Sequence, residues 1–285
     1  MAKKKQLVFI LSSNYSGSHF CSLLLGSHSQ TEHLGELKNL YKISGGRPCF
    51  ACGSEVECNL FKEIDSVQRE DVYEELFSRL GSQSLILIDT SKKPKWFKHF
   101  LGDERYEIKL LHLIRDPRAL ARRWLMRFKE LDRGPRERIK QCRKDPLRAP
   151  LFLFGDLLSV CIYKWYTQNK EIAEFIRQSN CASKLITYRN LALEQDATLS
   201  SICQWMGIDY EPEQKEYWNF EHHGTQKHEY EWVKQQGGAQ FFDLRWKEFL
   251  TTKQQAKIIS NKSVNCLLSE LGLRFVDDGL QQIVR

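Results

Sequence analysis

Short, almost wholly apolar runs recur along the chain at 7–12, 84–90, 109–116 and 184–188. Runs of this length, bounded by polar turn residues, read as strands buried on both faces, as in a parallel sheet. Between them lie longer segments with apolar residues three and four apart. These predict helices at 18–27, 67–80, 117–131, 152–178 and 197–207, and a closing helix at 253–271. Gly81 and Gly207 stand where two of the helices end, and Pro117 where another begins. Two segments interrupt the pattern. The stretch 132–150 is basic and Pro-rich and predicts a surface excursion; 219–245 is polar, with Gly and His, and predicts a loop. Strands alternating with helices predict an α/β fold, a central parallel sheet with helices on both faces. A chain of 285 residues suits one domain over 1–285, with insertions around 28–66, 132–152 and 219–245.

Composition narrows the partners. The chain is 41% hydrophobic and 28% charged, an ordinary globular balance, and its net charge of +7 suits small polyanionic ligands. No block of Lys and Arg is long enough to make nucleic acid the expected partner. The apolar run after "MAKKK" spans only Leu7 to Leu11, too short for a secretory signal. No stretch approaches the roughly 18 apolar residues of a membrane span, so a cytoplasmic protein without a membrane span is expected. The nine cysteines are an odd number and mostly scattered, which argues against a disulfide framework. Cys49, Cys52 and Cys58 have CxxC…C spacing, but zinc needs a fourth ligand and none is near in sequence; no metal is expected.

Three stretches carry candidate chemistry. In "LSSNYSGSHF", Ser16-Gly17-Ser18 separates a strand from a helix. Gly17 allows tight backbone geometry, and the free N–H groups and dipole of the helix start attract an anion. The plainer reading is an ordinary turn with a serine cap. The loop lacks the Gly-Lys-Ser/Thr ending of an NTP-hydrolysing loop, and no metal carboxylate is evident, which speaks against a kinase. In "LIRDPRALARR", Arg115 closes a strand, and Arg118, Arg122 and Arg123 follow at spacings that gather them into a second anion site. The plainer reading is a solvated helix face with Asp116 pairing an arginine. In "LIDTSKKPKW", a strand ends at Asp89-Thr90-Ser91-Lys92, so that Lys92 reaches toward the first loop, unless it is simply a surface lysine. Two anion sites with a lysine between them predict a nucleotide with two separated anionic groups.

These residues resemble the PAPS-dependent sulfotransferases. "SSNYSGSHFCSLLLGSH" resembles the family's 5'-phosphosulfate loop, and "LHLIRDPRALARR" its 3'-phosphate motif. "IDTSK" resembles the Asp-Ser-Ser-Lys of bacterial members, and "LITYRNLALEQDATLSSICQWMGI" the segment whose tyrosine lies by the adenine. "CFACGSEVEC" is similar to a cysteine pattern of that branch, and "HHGTQ…FDLRWKEFLT" to the late loop and closing helix. Two positions depart. Tyr15 stands where many members have Arg or Lys, and Arg123 where they have a serine. The resemblance implies a sulfotransferase fold with a P-loop-like motif, PAPS as donor, PAP as product and a small-molecule acceptor, in a monomer or homodimer.

It further implies roles for single residues. Tyr15, Ser16, Gly17, Ser18, His19 and Phe20 surround the 5'-phosphate end; Arg115 and Arg123 hold the 3'-phosphate; Tyr188 and Arg189 border the adenosine. Lys92 bridges the sulfate and the leaving oxygen. Glu36 is the first candidate base, with His19 and His33 as alternatives, while His222 and His223 line the acceptor pocket. Aromatic residues in the insertions (Tyr41, Phe50, Phe61, Phe152, Trp218, Tyr230, Trp232) predict a partly apolar or ring-bearing acceptor. Tyr15 also leaves room for a non-catalytic descendant that binds PAP or another nucleotide.

Overall fold

The computed structural model describes residues 4–42, 49, 51–52, 58–81, 85–223 and 242–283. Five parallel strands form the central sheet: β1 (Gln6–Ser12), β2 (Thr31–Gly35), β3 (Ile86–Lys92), β4 (Glu107–Ile114) and β5 (Ala182–Thr187). Their order is β2-β3-β1-β4-β5. The α/β expectation, a parallel sheet flanked by helices, holds.

β1 explains why. All seven of its residues are buried. Leu7, Phe9 and Leu11 pack on one face with Tyr73, Phe97 and Phe100, while Val8 and Ile10 pack on the other with Leu24, Leu199 and Ile202. A strand covered on both sides reads as a continuous apolar run. Helix α1 (Ser18–Gly26) follows β1, and α2 (Val72–Leu80) and α3 (Pro94–Phe97) flank β3. Next come α4 (Pro117–Glu130), α5 (Gly134–Lys144), α6 (Ala149–Phe154) and α7 (Leu157–Ser179), then α8 (Tyr188–Leu193) and α9 (Gln195–Met206).

Several expectations need correction. β2 lies within the segment assigned to an acceptor-side insertion. Its sequence, "TEHLG", has no apolar run, and β3 alone pairs with it, because it is the edge strand. The basic segment 132–150 is largely helical. Glu137 of α5 pairs with Lys164 of α7 at 3.1 Å, which anchors the segment, although most of its residues stay at the surface as expected. The helix expected at 152–178 is two, divided at Gly155, where the Asp156 side chain caps α7 by accepting from the Ser159 N–H at 2.9 Å. The closing helix is also two, Thr252–Ile259 and Lys262–Glu270, each capped by a side chain (Thr251, Asn261). An antiparallel hairpin, Leu273–Val276 with Gly279–Gln282, then follows. No described helix is long and apolar enough to cross a membrane.

Candidate active site

Because all five strands run parallel, every loop after a strand opens at one edge of the sheet. The Ser16–Ser18 loop follows β1, Glu36 follows β2, Lys92 ends β3, Arg115 follows β4 and Tyr188 follows β5. Helix α7 ties two of these loops together. Its Trp165 donates Nε1–H to the Arg115 carbonyl at 2.8 Å, and its Asn169 Nδ2 reaches Ser13 Oγ at 3.4 Å.

The first loop is tightly wound. Gly17 caps α1 with φ +91°, and a Cβ there would lie 2.6 Å from Cδ2 of Tyr188. Only glycine permits both that conformation and that closeness. Tyr15 also has a positive φ, of 71°. Ser16 is buried, yet its Oγ has no hydrogen-bond partner among the described residues; the same is true of the buried Nδ1 atom of half-buried His19. Unspent buried polar atoms beside a helix start fit an anionic ligand.

At the neighbouring arginine cluster some donors are already engaged, while Nε of Arg115 and of Arg122 is buried with no partner among the described residues. Arg115 donates Nη1–H to the Tyr15 carbonyl at 3.0 Å and Nη2–H to Asp243 at 3.0 Å, and its guanidinium lies 4.0 Å over the Tyr188 ring. Arg122 stands 3.9 Å from the same Asp243 oxygen, and Arg245 contacts the other at 2.7 Å. Burial works to raise the Asp243 carboxyl, but hydrogen bonding from Arg245 and the charge of Arg115 hold it below its ordinary value. A shallow, partly open cleft is bordered by Arg115, Tyr188, Arg189, Phe242 and Asp243.

The arginines expected together divide. Arg118 turns into the fold: it pairs with Asp116 at 2.7 Å, donates to the Val276 carbonyl at 2.7 Å and lies 4.0 Å over Trp246. This is the plainer reading of Asp116 pairing an arginine, realised in the core because the hairpin closes over it. Arg123 lies 5.0 Å over the Tyr15 ring. Arg189 is held by Asp278 at 2.7 Å and Glu194 at 2.9 Å.

Lys92 has φ +67° and sits where the β1–β3 register shifts, so β3 ends in a strained bulge. Buried Asp89 supports that turn, accepting from Tyr73 Oη at 2.6 Å, Trp96 Nε1 at 3.0 Å and the Ser91 N–H at 2.6 Å. Lys92 Nζ makes an ion pair with Glu36, which also accepts from Asn39 Nδ2 at 2.9 Å. Burial favours the neutral Glu36 acid, but Lys92 and Lys38 outweigh it and hold the carboxyl below its usual range. Burial and the charge of Lys92 lower His19 to about 4, and burial lowers His222 to about 4. The His19 and His33 rings are 5.5 Å apart and those of His33 and His222 6.0 Å. His33 hydrogen-bonds Ser22, and His222 the Tyr217 carbonyl at 2.9 Å.

Lys93 was not singled out from the sequence. Burial, then the charge of Lys38, lowers it to about 8. Nor was Asp243, 128 residues from Arg115, for which no local signal exists. Phe20 packs edge-on against Tyr217, with ring centroids 5.7 Å apart, and so sits behind the first loop. Among the aromatics expected at the acceptor, Phe152 is buried against Tyr163 and Phe61 packs on the core. Trp218 is half-buried edge-on to Tyr217. The side chain of Tyr41 and the residues Phe50, Tyr230 and Trp232 lie outside the described residues, as does much of 219–245. The premise for expecting no metal also needs correction. His223, far away in sequence, joins Cys49, Cys52 and Cys58 in one cluster.

No protein-family model matches the chain, and no curated protein matches it. Among solved structures, it is similar to the sulfotransferase domain from the curacin biosynthetic pathway. That match has a TM-score of 0.59 at 16% identity, over 95% of this chain and 98% of that one. A sulfotransferase domain from the olefin synthase of Synechococcus PCC 7002 matches with TM-score 0.48 at 16% identity, over 97% and 98% of the two chains. Mouse sulfotransferase SULT7A1, complexed with PAP, matches with TM-score 0.44 at 14% identity, over 94% and 89%. The class these observations define is an α/β protein with the sulfotransferase fold.

Proposed function

We propose that the protein is a sulfotransferase that moves a sulfuryl group from PAPS to a hydroxyl or N–H of a small-molecule acceptor and releases PAP. One observation carries the reading. In a sulfotransferase fold, a glycine-wound loop with an unpartnered buried Ser16 hydroxyl touches Arg115 through Tyr15, at the same sheet edge as Lys92 and Glu36.

The 5'-phosphosulfate takes up the Ser16 hydroxyl and the N–H groups of Gly17 and Ser18. The 3'-phosphate takes Arg115, with Arg123 alongside, and Tyr188 and Arg189 border the adenosine. Sulfuryl transfer is an in-line displacement, so the protein's work is positioning and charge neutralisation. The incoming donor competes with Glu36 for Lys92. Lys92 then faces the sulfate and the leaving oxygen, and Glu36 is released as a base. The acceptor's proton passes to the Glu36 carboxylate as its oxygen or nitrogen bonds to sulfur, and the bond from sulfur to the 5'-phosphate oxygen breaks. His19, uncharged at neutral pH, offers a ring nitrogen beside the reacting groups. No metal takes part in the transfer.

The test is twofold. PAP raises the melting temperature of the native protein, and Arg115→Ala removes that shift. Labelled sulfate moves from PAPS to an acceptor drawn from phenols, alcohols and amines. A surviving shift in Arg115→Ala overturns the 3'-phosphate assignment. The second reading, a PAP-binding protein without turnover, draws on Lys92 being held by Glu36 and on Tyr15 standing where a cation is expected. PAP binding without transfer to any acceptor class favours it.

A further inference from the structure

The sequence offers three cysteines with zinc-like spacing and no fourth ligand. The fold brings the fourth from 165 residues away. Nδ1 of His223 lies 3.5 Å from Cys49 Sγ, 3.6 Å from Cys52 Sγ and 3.4 Å from Cys58 Sγ. All four ligand atoms lie within 4.8 Å of one another. Hydrogen bonding does not account for this convergence, because a neutral imidazole offers one lone pair at its unprotonated nitrogen and three sulfurs surround it. Tetrahedral coordination does. With Zn–S near 2.3 Å and Zn–N near 2.0–2.1 Å, the S···N edge of the tetrahedron is about 3.5 Å.

We propose that Cys49, Cys52, Cys58 and His223 bind one Zn(II) ion in a closed, structural Cys3His site. Three thiolates and an imidazole form a soft set that suits Zn(II) and disfavours Mg(II) or Ca(II). Four protein ligands leave no open position for water, so the ion does no catalysis. The thiols lose their protons to solvent as the sulfurs bind the metal. Glu221 lies 3.7 Å from Nε2 of His223, placed to orient the ring from behind. All four ligands belong to cysteine and histidine positions that sulfuryl transfer does not use.

The ion joins two segments distant in sequence. Cys49 and Cys58 sit in the apolar cluster with Leu34, Leu37, Leu60 and Ile64, between β2 and α2. His223 follows the 3₁₀ helix Pro212–Asn219 and is adjacent to His222, whose ring meets His33. Zinc therefore fastens the segment after β2 to the segment carrying His222, and so shapes the wall beside Lys92 and Glu36. The proposal stands apart from sulfuryl transfer, since metal content is measured without donor or acceptor.

The native protein, expressed without a metal-binding tag and desalted, carries about one zinc per chain by plasma mass spectrometry. A chelator with a mercurial thiol reagent releases it, and the melting temperature falls. Cys52→Ser and His223→Ala each lower zinc to a small fraction of one, while Cys266→Ser, on an exposed thiol far from the cluster, leaves it unchanged. Should the first two variants fail to fold, the wild-type chain still decides: Co(II) added to the metal-free protein produces the visible bands of a tetrahedral thiolate site. Wild-type protein that carries no zinc and gives no such bands overturns the proposal. So does equal zinc in all variants, or a mass two hydrogens light that locates a disulfide among the three cysteines.

Discussion

The Ser16 loop and the Arg115 cluster, joined by the hydrogen bond from Arg115 to the Tyr15 carbonyl, are prepared differently. At Ser16 the side-chain hydroxyl has no partner among the described residues, and the loop is shaped by the Gly17 turn and by the contact of Asn169 of α7 with Ser13. Around Arg115 the donors are only partly spent: Arg115 and Arg245 hydrogen-bond Asp243 and Arg122 stands 3.9 Å from it, while Nε of Arg115 and of Arg122 keeps no partner among the described residues. An empty donor set gains its full hydrogen bonds on binding. Donors satisfied by an internal carboxylate gain only the difference between the two anions. Asp243 thus keeps the arginines assembled and offsets the repulsion between their charges, and on the proposed reading more of the binding energy falls at the Ser16 end.

The largest effect is expected at Lys92. Lys92→Ala lowers kcat by roughly 100-fold or more while PAP affinity stays within severalfold, as measured by single-turnover sulfuryl transfer and calorimetry. Arg115→Ala weakens PAP by about 30-fold or more, read by the same calorimetry, because a charged donor is lost and Asp243 is left short of its partner. Gly17→Ala forces a Cβ against the Tyr188 ring at a positive φ. It should destabilise the fold by roughly 1–3 kcal/mol in denaturant titration and weaken PAP as well. Asp243→Asn removes the internal competitor and tightens PAP by about 3- to 10-fold; weaker binding would mean that Asp243 positions the arginines more than it competes with the ligand.

pH gives the mildest probe. His19, His112 and His222 have folded values near 4 against an ordinary 6.5, so between those values the unfolded chain binds protons that the folded chain does not. Stability therefore falls as pH drops from about 6.5 toward 4, and a melting-temperature series across that window checks it. Glu36 has a lowered value, so its ion pair with Lys92 is complete above the ordinary carboxylate range and is lost only as pH falls through the folded value.

Legibility followed locality. Buried strands announce themselves because both faces are apolar, and β1, β3, β4 and β5 were all readable. β2 was not, because an edge strand of five residues needs only a neighbour with free backbone groups, and "TEHLG" shows no period. The break at Gly155 and the division of the closing helix turned on capping residues, Asp156 and Asn261, set inside otherwise helical stretches. The loop and strand-end residues of the site were legible because strand-end loops of a parallel sheet share an edge whatever the connections between them. Their partners were not. Asp243, Asn169 and His223 reach their places from 128, 156 and 165–174 residues away.

What the chain determined by itself was the alternation of strand and helix, and hence the edge at which Ser16, Lys92, Arg115 and Tyr188 would gather. Apolar periodicity and turn chemistry are local properties of neighbouring residues. Only the tertiary structure decided that Arg118 is buried under the hairpin, that Asp243 gathers the arginine cluster, that Glu36 holds Lys92, and that His223 joins the cysteine set. Each of these is a pairing of charges or ligand atoms across chain closure, where burial selects the partner and sequence separation carries no trace of it.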